Sequence, residues 1–239
     1  MLLQCEIEGR PSEEGAQAAG AWLRPGTLES LLELNELCLA LLAEQAAASG
    51  AAAGTLLGEV GALWRALDGP ARRRAAACPY LLLDAGFAER ERWRRAAPGQ
   101  VGEAAHAAYG AFFTVPRAIE VGRLALTYAW HLARSQASAA RLLLGMPAPC
   151  AALIAQYTLR HIHALAEGHP HWLRPRWPGQ PAVWRELLLA AACGEARALE
   201  QAHMHGVTLL AAEWQRAARA TSPAGTASTA PNLRCPARP

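Results

Sequence analysis

The chain contains no lysine, so all 23 of its basic residues are arginine. This absence excludes Schiff-base catalysis and the phosphate-binding lysine of a Walker loop, because both need a primary amine. Aspartate is nearly absent too, since Asp68 and Asp84 are the only two. Calcium loops of the EF-hand type and metal centres built from several aspartates are therefore not expected.

Cysteine pairs and export or membrane signals are also missing. The six cysteines are dispersed and include no CxxC spacing, so neither a zinc ribbon nor a disulfide framework is expected. The first residues lack the charged and apolar regions of a signal peptide. The longest uncharged stretch, residues 142–159, is interrupted by Pro147 and Pro149, which argues against a membrane span. We therefore predict a cytoplasmic protein with reduced thiols and no membrane association.

Signatures of catalysis are absent in the same way. The sequence has no Gly-x-Ser-x-Gly elbow, no paired-carboxylate motif and no glycine-rich phosphate loop. A Cys–His dyad stays open, because residues far apart in sequence meet only in the fold. We predict that the chain is not an enzyme and binds no cofactor, and we assign no catalytic residues.

Residues that favour helices dominate what is present. Hydrophobic residues make up 52% of the chain, and alanine, leucine, arginine and glutamate are all abundant. Valine and isoleucine, which favour strands, are scarce. The composition therefore predicts an all-α fold with a sizeable core. The net charge of +3 is too small to indicate nucleic-acid binding by itself.

Helical periodicity and capping residues divide the chain into four segments. We predict an irregular lead-in over 1–26, a first helical unit over 27–97, a second helical unit over 98–220 and a disordered tail over 221–239. Thr27, Thr55 and Thr158 are the predicted N-caps. Helices are predicted over about 27–49, 56–67, 71–78 and 101–113, then from 116, and over about 149–157, 159–167, 183–192 and 197–220.

The stretch 124–132, LALTYAWHL, is ambiguous because its apolar residues alternate as they do in a strand. Leu124, Tyr128 and Leu132 also recur every four residues, however, and the flanking alanine and arginine favour a helix. The apolar face of this helix is broad, which indicates either burial on two sides or a subunit interface. We therefore name Tyr128, Trp130 and Leu132 as candidate interface residues.

An internal repeat is indicated by matches at a single offset. Three pairs of identical, less common residues are each 91 positions apart: Pro79 and Pro170, Trp93 and Trp184, Gln45 and Gln136. Matches of alanine and leucine arise readily in so biased a composition, so chance remains the alternative. A true duplication predicts two tandem units that form an intramolecular pseudo-dimer.

The second half carries a more specific pattern. A long helix is predicted to begin with Leu124, Leu126, Thr127 and Tyr128. It is followed by Ala137-Ser138-Ala139, by Arg141 and by a Leu-Gly-Met turn at Leu144–Met146. A further helix opens at Thr158-Leu159 and ends at Leu165-Ala166-Glu167, and a late helix contains Leu199, Gln201, His203 and Gly206. In order and spacing, these residues resemble the flagellar transcriptional regulator FlhD family. The resemblance covers about residues 120–215, with a degenerate second copy at about 28–95.

The resemblance implies an all-α, dimer-forming transcriptional activator subunit that acts on DNA together with a partner of the FlhC type. Zinc in that family belongs to the partner. We therefore expect a FlhD-like regulatory subunit that works through helical protein–protein contacts, with an FlhC-like regulator or another copy of itself as partner and with DNA contacted through a complex. The alternative is a helical adaptor or assembly factor that does not touch DNA.

Candidate DNA contacts lie in two places. Residues 137–167 predict helices separated by a glycine turn, which is compatible with a helix-turn-helix, and Arg160 and His161 would point outward from the last of them. Arg72, Arg73 and Arg74 form a basic run suited to phosphate contact. The alternatives are a purely structural helical hairpin and a solvated helix face. Leu159, Ile162 and Leu165 are expected to face the core.

Six of the eight histidines lie between residues 161 and 205, in three H-x-H pairs. Residues two apart on a helix point about 200° away from each other, so a helical pair cannot chelate as a unit. Single histidines from different pairs could meet Cys150 or Cys193 at a zinc ion. Packed or solvated histidines are the simpler alternative, and no metal site is predicted.

Overall fold

The structure is a computed structural model, and it describes residues 23–24, 26–48, 55–98 and 111–221. These residues form ten α-helices, one 3-10 helix and one two-stranded sheet. The predicted all-α fold is confirmed, since the sheet comprises only two residues per strand. Most of the predicted lead-in and tail lies outside the described residues.

The elements of the first half, in chain order, are α1 (Thr27–Ala48), α2 (Leu56–Ala66), α3 (Gly69–Ala76), β1 (Leu83–Asp84) and α4 (Arg90–Arg95). The elements of the second half are α5 (Val115–Ser135), α6 (Ala137–Leu144), α7 (Ala148–Ala155), α8 (Leu159–Gly168), a 3-10 helix (Pro170–Trp172), β2 (Arg174–Pro175), α9 (Pro181–Cys193) and α10 (Ala196–Thr221).

Helix starts follow the capping residues of the sequence. The hydroxyl of Thr55 accepts the Gly58 N–H at the start of α2, and the hydroxyl of Thr158 accepts the His161 N–H at the start of α8. Two of the three predicted N-caps are therefore confirmed. The carboxylate of Asp68 caps α3 in the same way. The prediction for Thr27 was wrong, because Thr27 is the first helical residue of α1 and its hydroxyl is hydrogen-bonded to the Gln136 side chain.

The helices agree with the sequence predictions at some positions and differ from them at others. The ambiguous stretch 124–132 is helical, as predicted. Residues 101–110 of the predicted helix 101–113 lie outside the described residues, and residues 111–114 are not helical. Ile162 and Leu165 are buried as expected. The expectation for Leu159 was wrong, because it is the first residue of α8 and is 41% exposed.

The two strands were not predicted. They pair antiparallel, with Leu83 opposite Pro175 and Asp84 opposite Arg174. Two residues per strand give no alternating pattern long enough to be recognised in the sequence. The pairing joins the two halves of the chain.

One apolar core runs through both halves. Its largest fully buried side chains include Trp64 from α2, Trp93 from α4 and Trp184 from α9. Among the described residues, no single helix is long and apolar enough to cross a membrane, although α6 and α7 together reach that length with a 120° bend between them.

Candidate functional site

The predicted DNA contacts on α3 have different surroundings. Arg73 is exposed and Arg72 is half-buried. The Nε of Arg74 donates to the carbonyl oxygen of Ala191, at 2.8 Å, near the end of α9. Arg74, which is also half-buried, therefore holds α3 against α9, and Arg73 is the most exposed of the three arginines.

Arg72 and Arg73 form one side of a groove of about 580 Å³ between α1 and α3, which we call the α1–α3 groove. Its other lining residues are Glu33, Glu36, Leu37, Ala40 and Gly69. Across the described parts of the chain, none of its four charged side chains forms an ion pair. The glutamates opposite the arginines lower the positive potential that a phosphate backbone would meet.

The predicted contacts on α8 also differ from each other. Arg160 is exposed. The Nε2 of His161 is hydrogen-bonded to the carbonyl oxygen of Ala96, at 2.6 Å, and its ring lies edge-on to Tyr157. His161 thus joins the start of α8 to the end of α4, which gives it a packing role whatever else it contacts.

The three candidate interface residues lie on α5. Tyr128 and Leu132 are buried within the chain, and the Tyr128 hydroxyl donates to the Thr27 carbonyl at 2.9 Å. Trp130 is half-buried, and its Nε1 donates to the carbonyl oxygen of Tyr157. The broad apolar face of α5 is thus buried on two sides within one chain, and of the three residues Trp130 retains the most exposed surface.

A charged cleft next to the strand pair was not foreseen from the sequence. It has two lobes, of about 160 Å³ and about 340 Å³, which share Asp84, Arg174, Arg176 and Glu213 as lining residues. We call it the strand-pair cleft. Its residues come from β1, from β2 and the residue after it, and from α10, so no local sequence pattern connects them.

Arg176 is the central side chain of the strand-pair cleft and is only 3% exposed. It donates to the carbonyl oxygens of Leu81 at 2.8 Å, Leu83 at 3.3 Å and Leu144 at 3.1 Å. Its Nη1 also pairs with the Glu213 carboxylate at 3.3 Å. Four of its five N–H groups are therefore used to connect the strand pair, α6 and α10.

Asp84 balances this buried positive charge. Burial alone would raise the pKa of Asp84, but the charges of Arg176 and Arg174 and a hydrogen bond from Arg174 outweigh it, so the pKa is lowered. The carboxylate also accepts the N–H groups of Gly86 at 2.9 Å and Phe87 at 3.3 Å. Asp84 is therefore ionised, and its carboxylate oxygens already accept hydrogen bonds within the chain, which makes it a poor general acid or base.

The outer edge of the cleft continues the pattern of satisfied charges. Arg174 bridges Asp84 and Glu89, and Glu89 also pairs with Arg92 at 2.8 Å. Within the described residues, Arg216 is the one lining arginine that has no carboxylate partner. The lining residues include no serine, cysteine or histidine. The cleft thus resembles a structural ion-pair network, and the absence of enzymatic activity stays a prediction.

The histidines that cluster in the sequence make separate packing contacts in the fold. His163 shares a hydrogen bond with the hydroxyl of Thr127 at 3.3 Å, and His205 pairs with Glu186 at 2.7 Å. His169 stacks on Trp172. In the described portion of the chain, no group of three or more metal-ligating side chains comes together.

Buried cysteines offer no activated thiol. Burial raises the pKa of Cys78 to about 12 and that of Cys150 to about 11, so both thiols stay protonated near neutral pH. Burial also raises the pKa of Cys38. Cys193 is free and exposed at the end of α9.

No protein-family model, no curated protein and no solved structure matches this chain.

Proposed function

We propose that the chain is a FlhD-like regulatory subunit built from two tandem helical units that form an intramolecular pseudo-dimer, and that it acts through helical protein–protein contacts. The FlhD-like pattern of residues 120–215 supplies the regulatory part of this proposal. Three sets of contacts in the structure support the tandem part.

The strand pair is the observation that carries the proposal. β2 begins 91 residues after β1, which is the offset of the sequence repeat. Leu83 pairs with Pro175, and Asp84 pairs with Arg174. At the 91-residue offset, Leu83 corresponds to Arg174 and Asp84 corresponds to Pro175. Each pair therefore joins a residue to the counterpart of the adjacent residue, so exchanging the two units leaves the pairing unchanged. That is the pattern of an isologous two-fold contact.

The backbone after each strand follows the same course. Gly86 has φ +74, and Trp177, which is 91 residues later, has φ +51 although it is not glycine. The matched tryptophans then bond back to these turns: Trp93 Nε1 donates to the Gly86 carbonyl, and Trp184 Nε1 donates to the Arg176 carbonyl. Left-handed backbone at a tryptophan is uncommon, so its recurrence at this offset supports a shared ancestral turn.

The helices α4 and α9, which begin 91 residues apart, each contact the other unit. Trp184 of α9 packs edge-on against Trp64 of α2, with ring centroids 5.5 Å apart. In the reciprocal place, the carbonyl of Trp93 in α4 accepts the Tyr157 hydroxyl just after α7. Such an exchange explains why the two halves share one core, as the subunits of an interlocked dimer do.

Several residues of the FlhD-like pattern have structural roles. Gly145 of the Leu-Gly-Met turn has φ +66 and ends α6. Gly206 lies so close to Tyr80 that a Cβ there would fall 2.0 Å from the phenol oxygen. Together with the Thr158 cap, these roles support the interpretation that the pattern reflects requirements of the fold.

The adaptor alternative is favoured by one observation. Glu33 and Glu36 lie across the α1–α3 groove from Arg72 and Arg73, which weakens the case for direct phosphate contact. An adaptor needs a protein partner but no DNA, whereas a FlhD-like subunit would retain DNA through its complex.

Purification of the tagged full-length chain from its native host separates these functions. We expect a transcription-related protein partner, together with DNA whose retention falls steeply as salt is raised. Recovery of a protein partner without DNA, at low salt and from intact cells, would favour the adaptor. Recovery of neither would contradict both functions.

A further inference from the structure

The α1–α3 groove combines an apolar floor with unpaired charges of both signs. Leu37 and Ala40 are half-buried on α1 and form the floor. Glu33 and Glu36 line the groove from the same helix. The positions 33, 36, 37 and 40 span two turns of one helix face, a length of about 10 Å.

The opposite side of the groove is positive. Arg72 and Arg73 on α3 line it, and in the described residues no ion pair joins them to the glutamates of α1. Some other charges of the chain are paired across helices, as in the contacts of Arg117 with Glu44 and Arg185 with Glu59. The charges along this groove are thus separated by sign and left available to a ligand.

Corresponding positions in the second half lack this arrangement. Glu36 and Arg72 are each 91 residues before Thr127 and His163, and those two side chains share a hydrogen bond that connects α5 to α8. The second helix pair is therefore bridged by its own side chains. The first pair has a groove of about 580 Å³ at the same place.

We propose that the α1–α3 groove binds an amphipathic helix of a protein partner, whose apolar face covers Leu37 and Ala40, whose basic flank meets Glu33 and Glu36, and whose acidic flank meets Arg72 and Arg73. A helix laid between two helices buries an apolar stripe and leaves its flanks at the rim, where charges of opposite sign favour the correct partner. Nucleic acid fits poorly, because its phosphates would face the two glutamates. This inference rests on the proposed function only in requiring a protein partner.

Two synthetic helical peptides of identical composition test the proposal on the full-length chain. Both carry a leucine stripe. The segregated peptide has basic residues on one flank and acidic residues on the other, whereas the mixed peptide alternates both signs on each flank. We expect the segregated peptide to bind about tenfold more tightly by fluorescence anisotropy, because several rim charges act together. Equal affinities, or no binding of either peptide, would overturn the proposal.

Charge reversal on α1 locates the binding site. The double variant Glu33→Arg/Glu36→Arg makes both sides of the groove positive, so the segregated peptide should lose about tenfold in affinity. A peptide with two acidic flanks should then bind this variant best. The control is Glu29→Arg, which reverses an exposed charge of α1 that does not line the groove. If the control weakens binding as much as the double variant does, the assigned site is wrong.

Duplex DNA serves as competitor in the same assay. Displacement of the segregated peptide by DNA would overturn the proposal in favour of a phosphate-binding groove. The double variant also separates this inference from the proposed function. If it still recovers the transcription-related partner from the host, the inference fails and the function stands. If the segregated peptide binds as expected while no such partner is recovered, the function fails and the groove stands.

Discussion

The α1–α3 and α5–α8 helix pairs lie 91 residues apart in the chain, and they differ in how the pair is closed. Thr127 and His163 bridge the second pair, whereas Glu36 and Arg72 line an open groove at the first. If the two pairs derive from one duplicated unit, as we propose, their surface chemistry has diverged. The second half uses these positions for internal contacts, and the first half leaves them to an outside ligand.

The residues after the two strands also differ between the halves. Arg176, with its buried charge, follows β2, whereas the residue 91 positions earlier is the small, buried Ala85. Only the second half thus places a buried charge after its strand.

Replacing Arg176 with methionine should cost about 3–5 kcal/mol of unfolding free energy. The substitution leaves three carbonyl oxygens and the Glu213 carboxylate without their donor. Urea denaturation followed by circular dichroism measures the loss. The control is Arg185→Met, which breaks the exposed pair with Glu59 and should cost less than about 1 kcal/mol. Equal losses in the two variants would contradict the central role of Arg176.

Replacing Gly206 with alanine should cost about 1–3 kcal/mol, although alanine favours a helix interior by about 1 kcal/mol. The added Cβ would fall 2.0 Å from the Tyr80 phenol oxygen, so α10 must move away from Tyr80. Gly168→Ala is the matched control, because a Cβ at that helical position meets nothing within 4 Å. Thermal unfolding should show a lower Tm for the first variant alone, and a lowered Tm in both would point to a cause other than Tyr80.

Acid should destabilise the chain partly through Asp84. Because the folded pKa of Asp84 is lowered, its ionised form stabilises the fold above the unfolded pKa of about 3.9 and this contribution is lost as pH falls through the folded pKa. In Asp84→Asn, we expect lower stability at neutral pH and a shallower further loss below about pH 4. An unfolding titration across this range checks both, and an unchanged acid limb would contradict the ion-pair assignment.

Replacing Thr127 with valine should cost about 1 kcal/mol, because it removes the hydrogen bond that bridges α5 and α8. The contrasting variant, Glu36→Thr/Arg72→His, places the same residue types at the first helix pair. We expect it to abolish the preference for the segregated peptide while keeping the helical content. Retained preference would show that the two helix pairs differ for another reason.

The features of the fold that depend on local sequence patterns could be predicted from the sequence. Helix starts at Thr55 and Thr158 follow from hydroxyl caps, and the helical state of 124–132 follows from a four-residue recurrence of apolar positions. The strand-pair cleft could not be predicted, because Asp84, Arg176 and Glu213 are brought together only by long-range packing. The left-handed turn at Trp177 was missed too, since tryptophan gives no signal for it.

Cleavage between the halves tests the interlocked arrangement most directly. A protease site inserted between residues 98 and 111 leaves every described helix intact. If α4 and α9 each pack against the other unit, the two fragments should stay associated after cleavage, elute together in size-exclusion chromatography and keep the circular dichroism spectrum of the uncut chain. Separation into two fragments that each remain folded would contradict the intramolecular pseudo-dimer.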